Sequence, residues 1–267
     1  MASHARISSS GQITGVLVRT LRRHSQLTAA DVRVIAELRP HRKTIGRGQD
    51  IVRQGDRPKS SVLVLRGTLG RYHTFAAGMR QYLQLHIEGD LPDLQSLFLH
   101  VMDHSLAAIE EAEIALLPHG ELRNLILKAP QVGFALWRHT LIDASIFRQA
   151  ITNQGLRSAP ERVAHFLCQH FALTREFGLA DGSTCSFPLN QQQIGQFLGL
   201  SIVSVNRALQ ALRKDGCAEL AAGKLRILSW HRISSKAAFD PTYLHLNLQA
   251  PHLRAGADLG APGRSLA

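Results

Sequence analysis

The side chains with the clearest chemistry lie between residues 189 and 214, in the stretch LNQQQIGQFLGLSIVSVNRALQALRK. Arg207 can bind a guanine edge with two hydrogen bonds, and the amides of Asn206 and Gln191 can bind an adenine edge or a phosphate. Ile202 and Val203 can pack on thymine methyl groups. These residue types predict contacts to base pairs. The predicted contact set is Gln191, Ser201, Ile202, Val203, Ser204, Asn206, Arg207, Gln210, Lys214 and Lys224.

Two short helices must position these side chains. Asn190 can cap the first helix, with Gln193 as its capping-box partner, and Ser201 can cap the second. Gly199 stands at the turn, where a positive φ is cheap only for glycine, and Gly195 is small where the second helix would cross closely. A second helix that presents its N-terminal residues suits a DNA major groove. An ordinary helical hairpin is the alternative, and both caps disfavour it.

A β-hairpin is predicted directly after the second helix. Short apolar runs at 217–220 and 225–228 flank the sequence Ala-Ala-Gly-Lys, a pattern typical of two strands around a glycine turn. A helix-turn-helix followed by such a hairpin is a winged arrangement. The basic side chains that cluster here, suited to phosphate contacts, are Arg207, Arg213, Lys214, Lys224 and Arg226.

Composition narrows the class of protein. The 267 residues are 45% hydrophobic and carry a formal net charge of +11, which favours a globular protein with a polyanionic partner, nucleic acid before a membrane surface. The three cysteines form no CxxC pair, which argues against a zinc or iron–sulfur site and favours a reducing cytoplasm. No apolar run reaches membrane-spanning length, and the N-terminus lacks a signal-peptide pattern.

Short strands are predicted between residues 43 and 118, at 43–45, 51–53, 62–66, 69–75, 81–87 and 113–117. Glycines punctuate them at the interval of an antiparallel barrel or roll. Before them, 16–27 and 31–38 are predicted to be short helices, the second capped by Thr28. The segment therefore predicts an antiparallel β domain that follows a helical start.

These strands carry a family resemblance. The runs GQDIVRQGD at 48–56 and VLVLRG at 62–67, with the pair Gly89-Asp90, resemble the β-roll of cyclic-nucleotide-binding domains. With the winged helix-turn-helix behind it, the chain over about 30–232 resembles the Crp/Fnr family of bacterial transcription regulators. The resemblance implies an α+β fold with an N-terminal antiparallel β-roll sensor, a long dimerisation helix and a C-terminal winged helix-turn-helix that binds DNA.

The same resemblance divides the chain into five parts. A flexible N-terminal arm is expected over 1–20, the β-roll sensor over 21–128 and the dimerisation helix over 129–155. The winged helix-turn-helix is expected over 156–232 and a C-terminal tail over 233–267, whose last twenty or so residues have a composition typical of disorder.

An effector pocket is implied by the resemblance at Asp93, His104 and Ser105. Family members that bind a cyclic nucleotide hold its ribose with a Gly-Glu pair and its phosphate with an Arg-Ser pair. The best matches here are Pro92-Asp93 and His104-Ser105. Proline has no N–H to donate, neutral imidazole lacks the charge and fork of arginine, and Asp93 would repel a phosphate. Cyclic nucleotide binding is therefore not expected; another ligand, or none, stays open.

No cofactor or metal site is predicted. Histidines are dense in this region, at positions 73, 86, 100, 104 and 119, but no pair has a convincing ligand spacing, so hydrogen-bonded or exposed side chains are the simpler interpretation. Cys168 is expected to behave as a small buried hydrophobe, and nothing marks Cys217 as a low-pKa thiol.

One long helix is predicted from residue 131 to about 153. Its residues at alternating steps of three and four form a seam that suits a two-stranded coiled coil, with a polar residue that fixes register. A core helix packed wholly within one chain fits the pattern about as well, and the family resemblance favours the dimer. The seam is Phe134, Trp137, Leu141, Ala144, Arg148 and Ile151.

The sequence predicts a cytoplasmic homodimer that reads a palindromic DNA site through the helix 201–214. The expected partners are double-stranded DNA, a second copy of the chain and RNA polymerase, with no membrane. A β-roll that regulates a partner protein is the alternative. Because no G-x-S-x-G elbow, P-loop, H-E-x-x-H or catalytic carboxylate pair is recognisable, an enzyme is not predicted.

Overall fold

The computed structural model describes residues 9–75 and 78–246. The chain divides into two compact units, with the division between Phe147 and Arg148. Helices combine with antiparallel sheets, which confirms the predicted α+β fold class. None of the helices in the described part of the chain combines the length and apolar character that crossing a bilayer requires.

The first unit is an antiparallel roll flanked by helices. A three-stranded sheet has the order β1-β7-β3, and a four-stranded sheet has the order β2-β6-β4-β5. The elements are α1 (Ser9–Arg22), α2 (Ala29–Ile35), β1 (His41–Ile45), β2 (Asp50–Val52), β3 (Ser60–Arg66), β4 (Leu69–Thr74), β5 (Arg80–His86), a 3₁₀ helix (Leu94–Leu97), β6 (Ser105–Ala108), β7 (Ala112–Pro118), α3 (His119–Lys128) and the start of α4 (Pro130–Leu156).

The four consecutive apolar residues at 62–65 are explained by their position in β3, which is buried on both faces. Val62 and Val64 face a core inside the roll, whereas Leu63 and Leu65 face a second core shared with the helices. Alternate side chains of a strand point to opposite faces, so a run that is buried on both faces is apolar at successive positions, as residues 62–65 are. The core under the helices joins residues of α1, α3, α4 and β7 to those two leucines.

The expectation of a flexible arm over 1–20 is wrong for its described part. Residues 9–20 belong to α1, and Ile13 and Leu17 are almost fully buried in the core beneath the helices. Serine and glycine dominate residues 7–11 and masked the start of the helix, which was predicted over 16–27 and begins instead at Ser9. Residues 1–8 lie outside the described part. The predicted cap at Thr28 is confirmed, because its side chain accepts from the Asp31 N–H and forms a capping box.

Two elements of the first unit were missed, β6 and α3. Strand β6 has four residues, too few for a periodic signal, and it is held by pairing with β2 and β4. Helix α3 follows β7 without a loop, so the end of the strand masks its start.

The second unit holds the end of α4 and a three-stranded sheet in the order β8-β10-β9. Its other elements are α5 (Ala159–Glu176), β8 (Thr184–Ser186), α6 (Gln191–Leu198), α7 (Ile202–Lys214), β9 (Ala218–Ala221), β10 (Lys224–Ile227), α8 (Trp230–Lys236) and a 3₁₀ helix (Pro241–Leu244). Phe166 of α5 stacks on Phe197 of α6 at 5.4 Å between ring centroids. This contact fixes α6 on the body of the unit.

The expectation of a tail from residue 233 is also wrong over its described part. Helix α8 continues to Lys236, and Ile233, Ala237 and Leu244 are buried. The second unit therefore continues past residue 232, because these three side chains pack within it. The last part of the predicted tail, 247–267, lies outside the described residues.

Replacing Leu17 with alanine should destabilise the first unit by about 2–4 kcal/mol, because a fully buried side chain leaves a cavity. Urea unfolding followed through Trp137, with Trp230 replaced by Phe to silence the second unit, measures this. Gln12→Ala, at an exposed position of the same helix, is the control and should be nearly neutral. If both variants change the free energy of unfolding equally, Leu17 does not contribute to the core and α1 behaves as a flexible arm.

Candidate nucleic-acid interface

Residues at both ends of α6 fix where the helix begins and where it ends. The Asn190 side chain accepts from the Gln193 N–H at 2.8 Å, and the Gln193 side chain accepts from the Asn190 N–H at 3.0 Å. This confirms the predicted capping box. Gly199 ends the helix with φ of 63°, in the left-handed region where a side chain would be strained.

The turn between α6 and α7 is too tight for a side chain at Gly195. A Cβ placed there would lie 2.5 Å from the Leu200 carbonyl oxygen and 3.8 Å from a methyl group of Val205. The prediction of a close crossing therefore needs a correction, since the closest neighbour of Gly195 is the backbone of the turn. The Leu200 N–H also donates to the Gly195 carbonyl at 3.0 Å.

Helix α7 begins at the predicted cap, where the Ser201 side chain accepts from the Ser204 N–H at 3.1 Å. Its inner face buries Val205, Ala208 and Leu212. The outer face is consequently left uncovered: Ile202 is 52% exposed and Val203 is 60% exposed. The other predicted contact residues on the exposed surface of the two helices and wing are Ser201, Arg207, Gln210, Lys214 and Lys224.

A groove of ≈ 420 Å³ separates the two helices from the hairpin. The Asn206 amide donates to the Gln191 Oε1 at 3.1 Å, so the structure brings these two predicted residues together across the helices. Each amide keeps a free hydrogen-bonding group for a base edge or phosphate. Of the predicted set, Gln191, Asn206, Gln210 and Lys224 line this groove, whereas Arg207 lies on the exposed face of α7.

The hairpin predicted after α7 is present as β9 and β10, each shifted by one residue from its predicted range. Ala222 and Gly223 both have positive φ, as a two-residue turn of type I′ requires. Lys224 and Arg226 are exposed on β10. Arg213 is paired with Glu219 at 3.2 Å, so its charge is partly neutralised.

The predicted effector pocket centres on a residue that sequence reasoning missed. Arg71 of β4 is 2% exposed, and its Nη1 donates to Asp143 of α4 at 2.9 Å. Its Nη2 donates to the Pro92 carbonyl, and its guanidinium lies over the Phe147 ring at 5.1 Å. At Pro92, where a nucleotide-binding relative would offer a donor to its ligand, the backbone carbonyl instead accepts a hydrogen bond from Arg71. The sequence did not single out Arg71, because β4 reads Leu-Gly-Arg-Tyr-His-Thr, in which an arginine is not exceptional, and its partner Asp143 lies 72 residues away.

The carboxylate of Asp143 is held on both oxygens, since the Gln84 amide also donates to it at 2.6 Å. Burial raises its pKa, but the neighbouring Arg71 and His86 outweigh burial, and the pKa is lowered overall. Arg71 and Asp143 therefore form a buried ion pair inside the first unit.

The three predicted pocket residues surround this ion pair. Asp93 is fully buried, and its Oδ1 accepts from the Val62 N–H at 2.6 Å while its Oδ2 has no partner among the described atoms. His104 is bound to Asp103 at 2.6 Å, and burial, with the charge of Arg71, lowers its pKa to about 4. Ser105 accepts from the Gln54 N–H at 3.0 Å.

The seam predicted on α4 is exposed at its large residues. Phe134 is 57% exposed, Trp137 61%, Leu141 50% and Ile151 73%. Arg148 is also exposed, and Ala144 is half-buried. The other side of the helix buries residues in the first unit, namely Val132, Ala135, Leu136 and Ile146.

The cysteines and histidines form no site of their own in the described part of the chain. No group of three or more histidine, cysteine, aspartate or glutamate side chains is placed there to hold a metal ion. All three cysteines are buried, and burial raises the thiol pKa of Cys168, Cys185 and Cys217.

A β-roll ahead of a winged helix-turn-helix defines a DNA-binding transcription regulator. The family model of the Crp-like helix-turn-helix domain matches residues 161–235, and that of the cyclic nucleotide-binding domain matches residues 42–129. The chain belongs to the Crp/Fnr family, as its resemblance predicted.

Similar proteins agree with this assignment. The nitrogen fixation regulation protein FixK of Bradyrhizobium diazoefficiens is 27% identical over 83% of this chain and 92% of its own. The transcriptional activator protein FnrA of Stutzerimonas stutzeri is 24% identical over 76% of this chain and 82% of its own. The solved structure of FixK2 from Bradyrhizobium japonicum has the same fold, with a TM-score of 0.68 at 23% identity, covering 76% of this chain and all of that one.

Asp93→Asn should stabilise the protein more at pH 8 than at pH 5. Burial raises the pKa of Asp93 to about 7, against the opposing Val62 N–H and Arg71. A pKa raised by folding gives a contribution that is complete below about pH 4 and lost as the pH rises through 7. Asparagine does not ionise and loses no such contribution. The free energy of unfolding of Asp93→Asn relative to wild type should therefore increase by on the order of 2–3 kcal/mol between pH 5 and pH 8.

Urea unfolding of both proteins at pH 5 and pH 8 measures this difference. Gln54→Ala, at an exposed position, removes no titratable group and is the control; its difference from wild type should be the same at both pH values. A constant difference between wild type and Asp93→Asn would mean that Asp93 is ionised throughout the range.

Proposed function

We propose that two copies of the chain bind a palindromic DNA site, each with α7 in a major groove. The observation that carries the proposal is the outer face of α7, where Ile202, Val203 and Arg207 are exposed on a helix capped at Ser201. Side chains at the start of such a helix reach base edges, and the half-sites of a dimer lie about one helical turn apart.

Arg207 is assigned to a guanine edge, worth about 1–3 kcal/mol of discrimination against another base. Ile202 and Val203 are assigned to thymine methyl groups. Gln191 and Asn206, joined by a hydrogen bond between α6 and α7, are assigned to an adenine edge or a phosphate. Because family members often carry a carboxylate at the start of this helix and this chain has Ile202 and Val203 there, its preferred half-site differs from that of glutamate-bearing relatives.

A second copy of the chain is the partner proposed for α4. The exposed seam is a stripe of large apolar residues, which monomeric proteins rarely leave uncovered, and Phe98 and Leu99 of the first unit extend the apolar exposure. The exposure of Trp137 and Leu141 on one face supports the dimer over a helix packed wholly within one chain. Arg148 in the seam fixes register more than it adds stability.

The sensor roll is proposed not to bind a cyclic nucleotide. Arg71 and Asp143 occupy the centre of the predicted pocket with their own ion pair. The Pro92 carbonyl accepts from Arg71, and Asp93 is fully buried with its Oδ1 accepting from the Val62 N–H, so neither presents a free donor to an incoming phosphate. We also propose the cytoplasm as its location and RNA polymerase as a partner, as a transcription regulator requires, and we propose no catalytic role.

Arg207→Ala should abolish the sequence preference at one base pair of each half-site and keep weak, salt-sensitive binding. In-vitro selection from a random duplex pool at near-physiological salt measures the preference of both proteins. Lys214→Ala, which removes an exposed charge from the end of the same helix, is the matched control. It should weaken binding to all sequences alike and reduce the salt slope by about one. An unchanged consensus for Arg207→Ala would refute its assignment.

Leu141→Glu should convert the dimer into a monomer, because it places a charge in the seam opposite its own copy. Sedimentation equilibrium and binding to the palindrome measure the result, and we expect DNA affinity to fall with dimerisation. Leu127→Glu makes the same change on α3, where the leucine is 79% exposed and outside the seam, and should leave the dimer intact. A dimeric Leu141→Glu protein would show that α4 is not the interface.

A further inference from the structure

A second polar cavity lies in the first unit, away from the ion pair of Arg71. It measures ≈ 420 Å³ and lies where the β2–β3 loop, the 3₁₀ helix and the start of α3 meet. Its basic lining residues are Arg57, Lys59 and Arg123, and we refer to it as the cationic cavity. The volume is that of a small-molecule site.

The charge of this cavity is not neutralised within the described part of the chain. None of its lining residues is acidic, and none of its three cations lies within ion-pair distance of a described carboxylate. By contrast, Arg42, Arg53 and Arg66 of the same unit all have acidic partners. Among the described residues, Arg123 has one hydrogen-bond partner, the Leu97 carbonyl, to which its Nη2 donates at 3.1 Å, so its other donors have no described partner.

The wall of the cavity adds further hydrogen-bonding groups. His119 is 6% exposed, and its Nε2 lies 3.1 Å from the Ser96 hydroxyl and 3.2 Å from the Ser61 hydroxyl. Burial and then the charge of Arg123 lower the pKa of His119. Helix α3 begins at His119, whose own N–H donates to the Lys59 carbonyl at 2.9 Å, and no described side chain caps it. The N–H of the next lining residue, Gly120, is a first-turn donor without a partner inside the helix and can serve an anion.

We propose that the cationic cavity binds a phosphate-bearing small molecule. Arg57, Lys59 and Arg123 neutralise the phosphate, and the start of α3 donates to its oxygens. Three cations around one concave site suit a group with more than one negative charge, and arginine matches phosphate with paired hydrogen bonds. The cavity shares no residue with the DNA-contact set, so this proposal does not depend on the DNA-reading mechanism.

Titration calorimetry with inorganic phosphate and with pyrophosphate, in chloride buffer at low ionic strength, tests the proposal. Wild type should bind pyrophosphate more tightly than phosphate, and Arg57→Ala and Arg123→Ala should each weaken binding at least about tenfold. Both side chains are exposed, so the variants should fold, and circular dichroism checks this.

Two controls distinguish this cavity from general charge. Arg47→Ala removes an exposed arginine outside the cavity, and Arg207→Ala removes one from the DNA-contact face; both should bind phosphate like wild type. Equal weakening in Arg47→Ala, or a loss confined to Arg207→Ala, would overturn the proposal. So would wild-type protein that shows no binding at millimolar phosphate.

The imidazole of His119 gives an independent readout. A bound dianion favours the imidazolium form, so phosphate should raise the pKa of His119 in an NMR titration. The charged and titratable groups around it are Arg123, whose charge lowers its pKa, and the other lining residues Arg57, Lys59 and His100. Ser61 and Ser96 lie within hydrogen-bond distance of its Nε2. If the pKa of His119 does not change in the presence of saturating phosphate, the phosphate does not bind in the cationic cavity and the proposal is wrong.

Discussion

A buried guanidinium must find partners, and the first unit is arranged around that requirement. Arg71 is 2% exposed, and breaking a buried pair by removing one partner costs about 3–5 kcal/mol. Its bonds to Asp143 and Pro92 tie β4 to α4 and to the loop before the 3₁₀ helix. Together with Val132, Leu136 and Ile146, this pair decides which side of α4 faces the roll, and therefore which side is left for a partner.

The second unit depends on backbone constraints rather than on charge. Gly195 must lack a side chain because the Leu200 carbonyl lies in its place, and Gly199 must adopt a left-handed conformation. Both helices then start at capped residues, which sets where each first turn points. The exposure of Ile202 and Val203 follows from this geometry, since Val205 and Ala208 already fill the inner face.

Much of the helix-turn-helix and its hairpin could be predicted from the sequence, because the signals for these elements are local. Caps, turn glycines and the period of apolar residues act within a few residues, so Asn190, Ser201 and the hairpin were identifiable from the sequence. What could not be predicted depends on contacts between distant segments. Arg71 and Asp143 are far apart in sequence, and the role of the arginine in β4 can be assigned only once its partner is known. The cationic cavity likewise draws Arg57, Ser96 and Arg123 from three separate segments.

The N-terminal helix shows the limits of composition as a guide. Serine and glycine at 7–11 resembled a flexible arm, yet the next turns contribute Ile13, Leu17 and Leu21 to the core. The C-terminal end was misjudged for the opposite reason, since Ile233 and Leu244 are isolated apolar residues without a helical period. In both cases burial against the rest of the unit, rather than local propensity, stabilises the segment.

The buried cysteines have a practical consequence for studying this regulator in motion. Thiolate is the form that reacts with maleimides and iodoacetamides, and three thiols that are both inaccessible and hard to ionise should react slowly with such reagents. The native chain should therefore take up little thiol-reactive label at its own cysteines. A single cysteine introduced on the surface would carry a fluorophore or spin label without first removing the natural ones.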